Sequence, residues 1–140
     1  MQTPIYPCLW FDDNAKEAAE FYTTIFPNSR ITQESPIVVN FELDERKFMG
    51  LNGGPQFSFN ESVSFVIECK DQKEIDYYWD KLTKGGEESM CGWLKDKYGV
   101  SWQVIPAILG ELMSDPERGP NVVAAFMQMR KFDIETLLNA

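Results

Sequence analysis

The sequence predicts an α+β protein in which one unit, a strand, a helix and a run of strands, is used twice on a curved mixed sheet and followed by C-terminal helices. Three observations carry this. Two amphipathic helical faces recur at a fixed offset, Ala18, Phe21, Tyr22 and Ile25 against Ile75, Tyr78, Trp79 and Leu82, each pair 57 residues apart. Each face follows an apolar extended segment and precedes strand-like ones, so the unit rather than the helix alone is repeated. The chain has 140 residues, 44% hydrophobic and 14% aromatic, enough for one good core and short for two large domains. The expected organisation is a single domain over 1–140, with module one at about 3–56, module two at about 57–106 and a helical tail at 107–140.

Ile5 to Phe11 is apolar and extended in character, and Asp12, Asp13 and Asn14 follow as turn and N-cap residues for the first helix. Pro27 ends that helix. Strands are expected at Arg30 to Glu34, Ile37 to Leu43 and Lys47 to Asn52, the last two joined by the polar turn "DER". The second unit opens with Val63 to Cys69, caps its helix with Asp71 and stops it at Gly85 and Gly86. Glu88 to Leu94 and Val100 to Ile105 then read as strands around "KDKYG". In the tail, Asp115 and Pro116 break the helical pattern, and Asn121 can cap a last amphipathic stretch through Met129. Its apolar face, Val122, Val123, Phe126 and Met129, must cover either the core or a second subunit.

Composition excludes several functions. A formal charge of -9 with scattered Lys and Arg argues against nucleic acid. The longest apolar run, Val122 to Met127, is far below a membrane span, and the N-terminus lacks secretory-signal features, so a cytoplasmic protein is expected. Cys8, Cys69 and Cys91 show no CxxC spacing and read as reduced, mostly buried thiols. Histidine is absent altogether, which removes the commonest metal ligand and neutral-pH base, and with it any nucleophile activated by histidine.

The stretches "FDDNAKEAAEFYTTIFPNS", "GLNGGPQFSFNESVSFVIECKDQKEIDYYW" and "GGEESMCGWLKDKYGVSWQVIP" span nearly the whole chain and resemble the PhnB-like branch of the vicinal oxygen chelate superfamily. That branch is often labelled a 3-demethylubiquinone-9 3-methyltransferase domain; the wider superfamily includes glyoxalase I, extradiol dioxygenases and the bleomycin and fosfomycin resistance proteins. The resemblance implies a glyoxalase-like fold, two βαβββ modules forming a cup, with helices on the convex side and ligand on the concave side. Metal-dependent members carry four ligands, and the resemblance sets those places near Tyr6 or Pro7, near Leu51 or Asn52, near Val63 or Ser64, and at Gln103. A phenol, two amides and a hydroxyl hold a divalent ion poorly without anionic help, so no metal is expected. The methyltransferase label implies S-adenosylmethionine, whose usual fold needs a glycine-rich turn opening a helix. Gly53 and Gly54 are followed by Pro55 and the strand-like "QFSF", and Gly85 and Gly86 close a helix. No cofactor is expected on these grounds.

Strand alternation sends Val100, Trp102 and Val104 to one face and Ser101, Gln103 and Ile105 to the other. Likewise Val63, Phe65 and Ile67 suit the core and leave Ser62, Ser64, Val66 and Glu68 for the cup. The expected ligand pocket comprises Tyr6, Trp10, Asn52, Ser64, Glu68, Trp93, Ser101 and Gln103. Trp102 reads as core, Cys8 and Cys91 as small buried hydrophobes, and Glu68 as a candidate general base if burial raises its pKa. The expected function is metal-independent binding of a small organic molecule by a homodimer. The alternative is an enzyme acting on a small metabolite through Glu68 or Gln103.

Overall fold

The computed structural model describes residues 4–140, so residue 3, the expected start of module one, lies outside the described residues. The chain divides into two units between Phe59 and Asn60, each with its own sheet and helix.

The first unit runs β1 (Cys8–Phe11), α1 (Ala15–Ile25), β2 (Arg30–Glu34), β3 (Val38–Leu43) and β4 (Arg46–Asn52). Its strands pair in the order β1-β4-β3-β2, with β1 parallel to β4 and the other pairs antiparallel. Alternation puts Leu9, Phe11, Val39, Phe41 and Phe48 on the buried face. Helix α1 covers that face with Ala15, Ala18, Ala19, Tyr22 and Ile25, and Phe41 stacks between Tyr22 and Phe48 at ring separations of 6.1 and 5.5 Å. Small residues set how close the helix lies: a Cβ on Gly50 would stand 3.2 Å from that of Ala15.

The expected N-cap of α1 differs in its donor. Asn14 makes no side-chain cap; the Ala15 N–H instead donates to Oδ1 of Asn52, at 2.9 Å, from the end of β4. A strand end 37 residues away does the work sequence assigned to the neighbouring residue. The turn after β3 is a two-residue hairpin loop, with Leu43 opposite Arg46 and both Asp44 (φ 50°) and Glu45 (φ 66°) left-handed. This is the type I′ geometry that suits the twist of a hairpin.

The second unit repeats the topology: β5 (Ser64–Cys69), α2 (Gln72–Thr83), β6 (Glu87–Glu88), β7 (Trp93–Lys95) and β8 (Ser101–Pro106), in the order β5-β8-β7-β6 with β5 parallel to β8. The repeat persists in burial. Ala18 and Ile75, Tyr22 and Trp79, and Ile25 and Leu82 are buried, while Phe21 and Tyr78 are half-buried. Asp71 caps α2 as expected, accepting from the Glu74 N–H at 2.9 Å, and Glu74 returns a carboxylate oxygen to the Lys70 N–H at 2.9 Å. Such caps contribute about 1 kcal/mol.

Two expectations fail in this unit. Val63 is 65% exposed and lies before β5 rather than in the core. Glu88 to Leu94 is no single strand: Glu87–Glu88 and Trp93–Lys95 pair with each other, because Cys91 (φ 60°) and Gly92 (φ 80°) take left-handed conformations and the chain turns back on itself.

The tail forms α3 (Leu109–Met113), α4 (Gly119–Phe126) and α5 (Ile134–Leu138). Asn121 does not cap the middle helix, which starts two residues earlier with Pro120 in its first turn; Asp115 ends the break by accepting from the Glu117 and Arg118 amides at 2.9 and 3.0 Å. Val122, Phe132 and Leu137 are buried in the second unit's core. Gln72 of α2 clasps the tail with both ends of its amide, donating to the Phe132 carbonyl and accepting from the Ile134 N–H, each at 2.8 Å.

Candidate functional site

The sheet of the second unit has one face under α2 and one face free of it, and the register of its strands arranges the free face in rows. Ser64 lies beside Ser101, Ser101 beside Lys95, and Lys95 beside Glu87. The next row sets Val66 beside Gln103 and Gln103 beside Trp93. Cross-strand neighbours on one face stand about 5 Å apart, so these side chains form one continuous surface.

A cavity of about 370 Å3 opens at the β6–β7 end of that surface. Trp93, Lys95 and Ser101 line it from the sheet, and Met90 and Cys91 from the hairpin turn. Glu61 and Glu87 add carboxylates to the wall. The Lys95 ammonium, 3.1 Å from Glu61, bonds to its carboxyl and holds it below the ordinary carboxylate value. Ser101 is 1% exposed, with its hydroxyl 3.5 Å from the Asn60 carbonyl.

The tail fixes the hairpin that walls this cavity. The Met129 and Arg130 carbonyls accept from the Cys91 and Gly92 amides at 2.7 and 2.8 Å. The Phe132 ring fills the space a side chain at position 92 would need, since a Cβ there would meet it at 2.5 Å.

Of the residues expected in a pocket, the second unit brings together Ser64, Trp93, Ser101 and Gln103. Trp93 and Ser101 line the cavity, while Gln103 donates its amide to the Ser64 hydroxyl at 3.0 Å beside it. Glu68 shares the face one row beyond, opposite Ile105, and is exposed; the burial on which its candidacy as a base depended is absent. Tyr6, Trp10 and Asn52 belong to the first unit. The Lys47 ammonium sits 4.1 Å over the Tyr6 ring. Trp10 donates its indole N–H to the Gly54 carbonyl at 2.9 Å and meets Phe57 edge-on at 4.9 Å. Asn52 uses both ends of its amide, its Oδ1 on Ala15 and its Nδ2 on the Pro36 carbonyl at 3.1 Å. Sequence reasoning missed Glu61, Glu87, Met90 and Lys95 as pocket residues. For Glu87, Met90 and Lys95 the signal available was "CG" at 91–92, a turn that folds the segment back and brings both its arms to one cavity; Glu61 arrives from the turn before β5, with no such signal.

The donors present do not fit a metal cage of the kind metal-dependent relatives use. Gln103 offers only a neutral amide oxygen, its Nε2 being bonded to the Ser64 hydroxyl, and the Asn52 oxygen is consumed in capping α1. Among the described residues no group of three His, Cys, Asp or Glu is placed to hold an ion. The residues do not fit S-adenosylmethionine in its usual glycine-rich turn either. Gly53 passes against the Trp10 indole, 2.4 Å from where its Cβ would be, with no helix after it, and the Gly86 N–H closes α2 onto the Thr83 carbonyl at 2.8 Å.

Comparison with known proteins agrees with this architecture. The sequence profile of the 3-demethylubiquinone-9 3-methyltransferase family matches residues 3–105 and stops at the last strand of the second unit. The solved PhnB protein of Bacillus cereus is 30% identical, with a TM-score of 0.67 over 74% of this chain and 99% of that one. A Pseudomonas aeruginosa protein superposes at a TM-score of 0.61 and 18% identity, over 75% of this chain and 98% of that one. The fosfomycin resistance protein of Listeria monocytogenes, solved with Mn(II) and sulfate, shares the fold at 16% identity and a TM-score of 0.57, over 79% and 94% of the two chains. No curated protein matches the chain. The chain belongs to the 3-demethylubiquinone-9 3-methyltransferase family, in its PhnB-like form, and has the fold of the glyoxalase-related proteins.

Proposed function

We propose that this protein binds a small organic molecule without the help of a metal ion, in the cavity of its second unit. The observation that carries the reading is the cavity itself: about 370 Å3, walled by Trp93 and Met90 and provided with a few polar groups, among them Ser101 and Lys95. Ligand sites are commonly of this size, largely apolar and furnished with a small number of placed polar groups. A catalytic reading through Glu68 has less support, because that carboxylate is exposed.

The protein acts as a homodimer in the cytoplasm in this reading. Exposed Met113, Met127 and Leu138 on the tail give a partner chain apolar surface to cover, and three free cysteines suit a reducing compartment. Light scattering at micromolar concentration checks the dimer, and a monomer there removes it.

Thermal-shift screening against metabolites and aromatic compounds tests the binding function. A compound that raises the melting temperature of the native protein, leaves the Trp93→Ala variant unmoved and is recovered unchanged supports it. Equal stabilisation of both proteins places the binding elsewhere and overturns the cavity assignment.

A further inference from the structure

The walls of the cavity carry unequal charge. Two carboxylates, Glu61 and Glu87, meet a single ammonium, Lys95. Lys95 is committed to Glu61 at 3.1 Å. Glu88 borders the cavity but turns its carboxylate to the indole N–H of Trp79 on α2 at 2.8 Å, opposite buried Leu94 on the helix-covered side of the sheet, and adds no charge to the wall. Arg130 reaches the backbone carbonyl of Glu88, at 3.5 Å, and does not line the cavity. Glu87 stands across the β6–β7 ladder from Lys95, on the free face of the sheet, and forms no ion pair among the described residues. One uncompensated carboxylate, Glu87, therefore shares the cavity with an aromatic wall, Trp93.

This arrangement discriminates among ligand classes. An anion would meet the Glu87 carboxylate and gain only a lysine already paired. A neutral molecule filling the cavity would strip water from Glu87 and offer no charge in return. An organic cation replaces that water with an ion pair, and the indole face of Trp93 attracts positive charge as well. The chain's net charge of -9 favours its approach.

We infer that the cavity selects a small organic cation, its apolar body against Trp93 and its charge at Glu87. The inference rests on the cavity being the binding site proposed above, and the experiment separates the two.

The full-length protein is titrated calorimetrically with three probes of matched size, N-methylquinolinium, neutral 1-methylnaphthalene and 1-naphthoate, at low and high salt. The expected result is an affinity for the cation about tenfold or more above that for the neutral probe, weakened by salt, with no saturable binding of the anion. Glu87→Gln, a change at an exposed position, lowers cation affinity about tenfold and leaves the neutral probe unchanged. Trp93→Ala weakens both. Equal affinities for cation and neutral probe, both lost in Trp93→Ala, overturn the charge selection and leave the cavity as the binding site. Cation binding indifferent to Glu87→Gln overturns the inference, and so does a failure of N-methylquinolinium to bind.

Discussion

Trp102 donates its indole N–H to Oδ2 of Asp96 across 2.9 Å, and the two residues are 3% and 2% exposed. The other carboxylate oxygen accepts from the amides of Tyr98 and Val100 at 2.8 and 3.1 Å. One buried aspartate thus holds the loop from β7 to β8 and orients the core tryptophan behind the cavity. Each donor left unsatisfied in the interior costs about 1–3 kcal/mol. Asp96→Ala is expected to destabilise the protein by about 3–5 kcal/mol in urea unfolding. A loss below about 1 kcal/mol would show that the loop is held by other contacts.

The hairpin loop at Asp44 and Glu45 makes the opposite prediction. Both residues hold positive φ without being glycine, at 50° and 66°. Glu45→Gly relieves a left-handed conformation that costs an ordinary residue about 1 kcal/mol or more, partly offset by the looser unfolded chain. The net expectation is a stabilisation of about 0.5 kcal/mol, read as a higher urea midpoint with an unchanged slope.

Gly92 and Phe132 bind the tail to the cavity wall. Gly92 has φ 80°, and a Cβ there would fall 2.5 Å from the Phe132 ring and 2.7 Å from the Val104 carbonyl oxygen. Gly92→Ala is expected to destabilise by more than about 2 kcal/mol, and Phe132→Ala by about 3–5 kcal/mol. Amide exchange in Phe132→Ala should speed up first at Cys91 and Gly92, whose N–H groups the tail carbonyls cover. Unchanged protection at those two amides would refute the link.

Cys69 gives a pH signature. Burial first, then the Glu74 and Asp71 carboxylates, push its thiol from an ordinary 9.0 up to about 12. The unfolded thiol loses its proton near the ordinary value while the folded one keeps it, so between about pH 9 and pH 12 the unfolded state binds fewer protons and stability falls as pH rises. Cys69→Ala should show a shallower fall over that window. At pH 8 a thiol reagent should react with exposed Cys8 in the native protein and reach Cys69 only after unfolding. Rapid native labelling of Cys69 would contradict its burial.

Most of the architecture was legible because it rests on local periodicity. The spacing of Ala18, Tyr22 and Ile25, and of Ile75, Trp79 and Leu82, is a property of each helix alone, and all six are buried as expected. What escaped depends on partners remote in sequence. Asn14 looked like the helix cap, but the acceptor arrives from Asn52. Glu88 to Leu94 looked like one strand until a left-handed Cys91 turned it. The same remoteness limited the site. Alternation placed Ser64, Ser101 and Gln103 on one face, as the register shows, whereas Glu87 joins the cavity through a fold-back that composition does not announce, and Glu61 from the turn before β5.

The tail's place in one unit and not the other bears on the order of events during synthesis. The first unit holds its buried aromatic stack within residues up to Phe59, whereas the second needs Phe132 and Leu137 to fill its interior. Domains consolidate as they leave the ribosome. The amino-terminal half can therefore settle while its duplicate is still emerging, and the duplicate must wait, with Gly92 and its neighbours uncovered, for roughly another forty residues of translation at several residues per second.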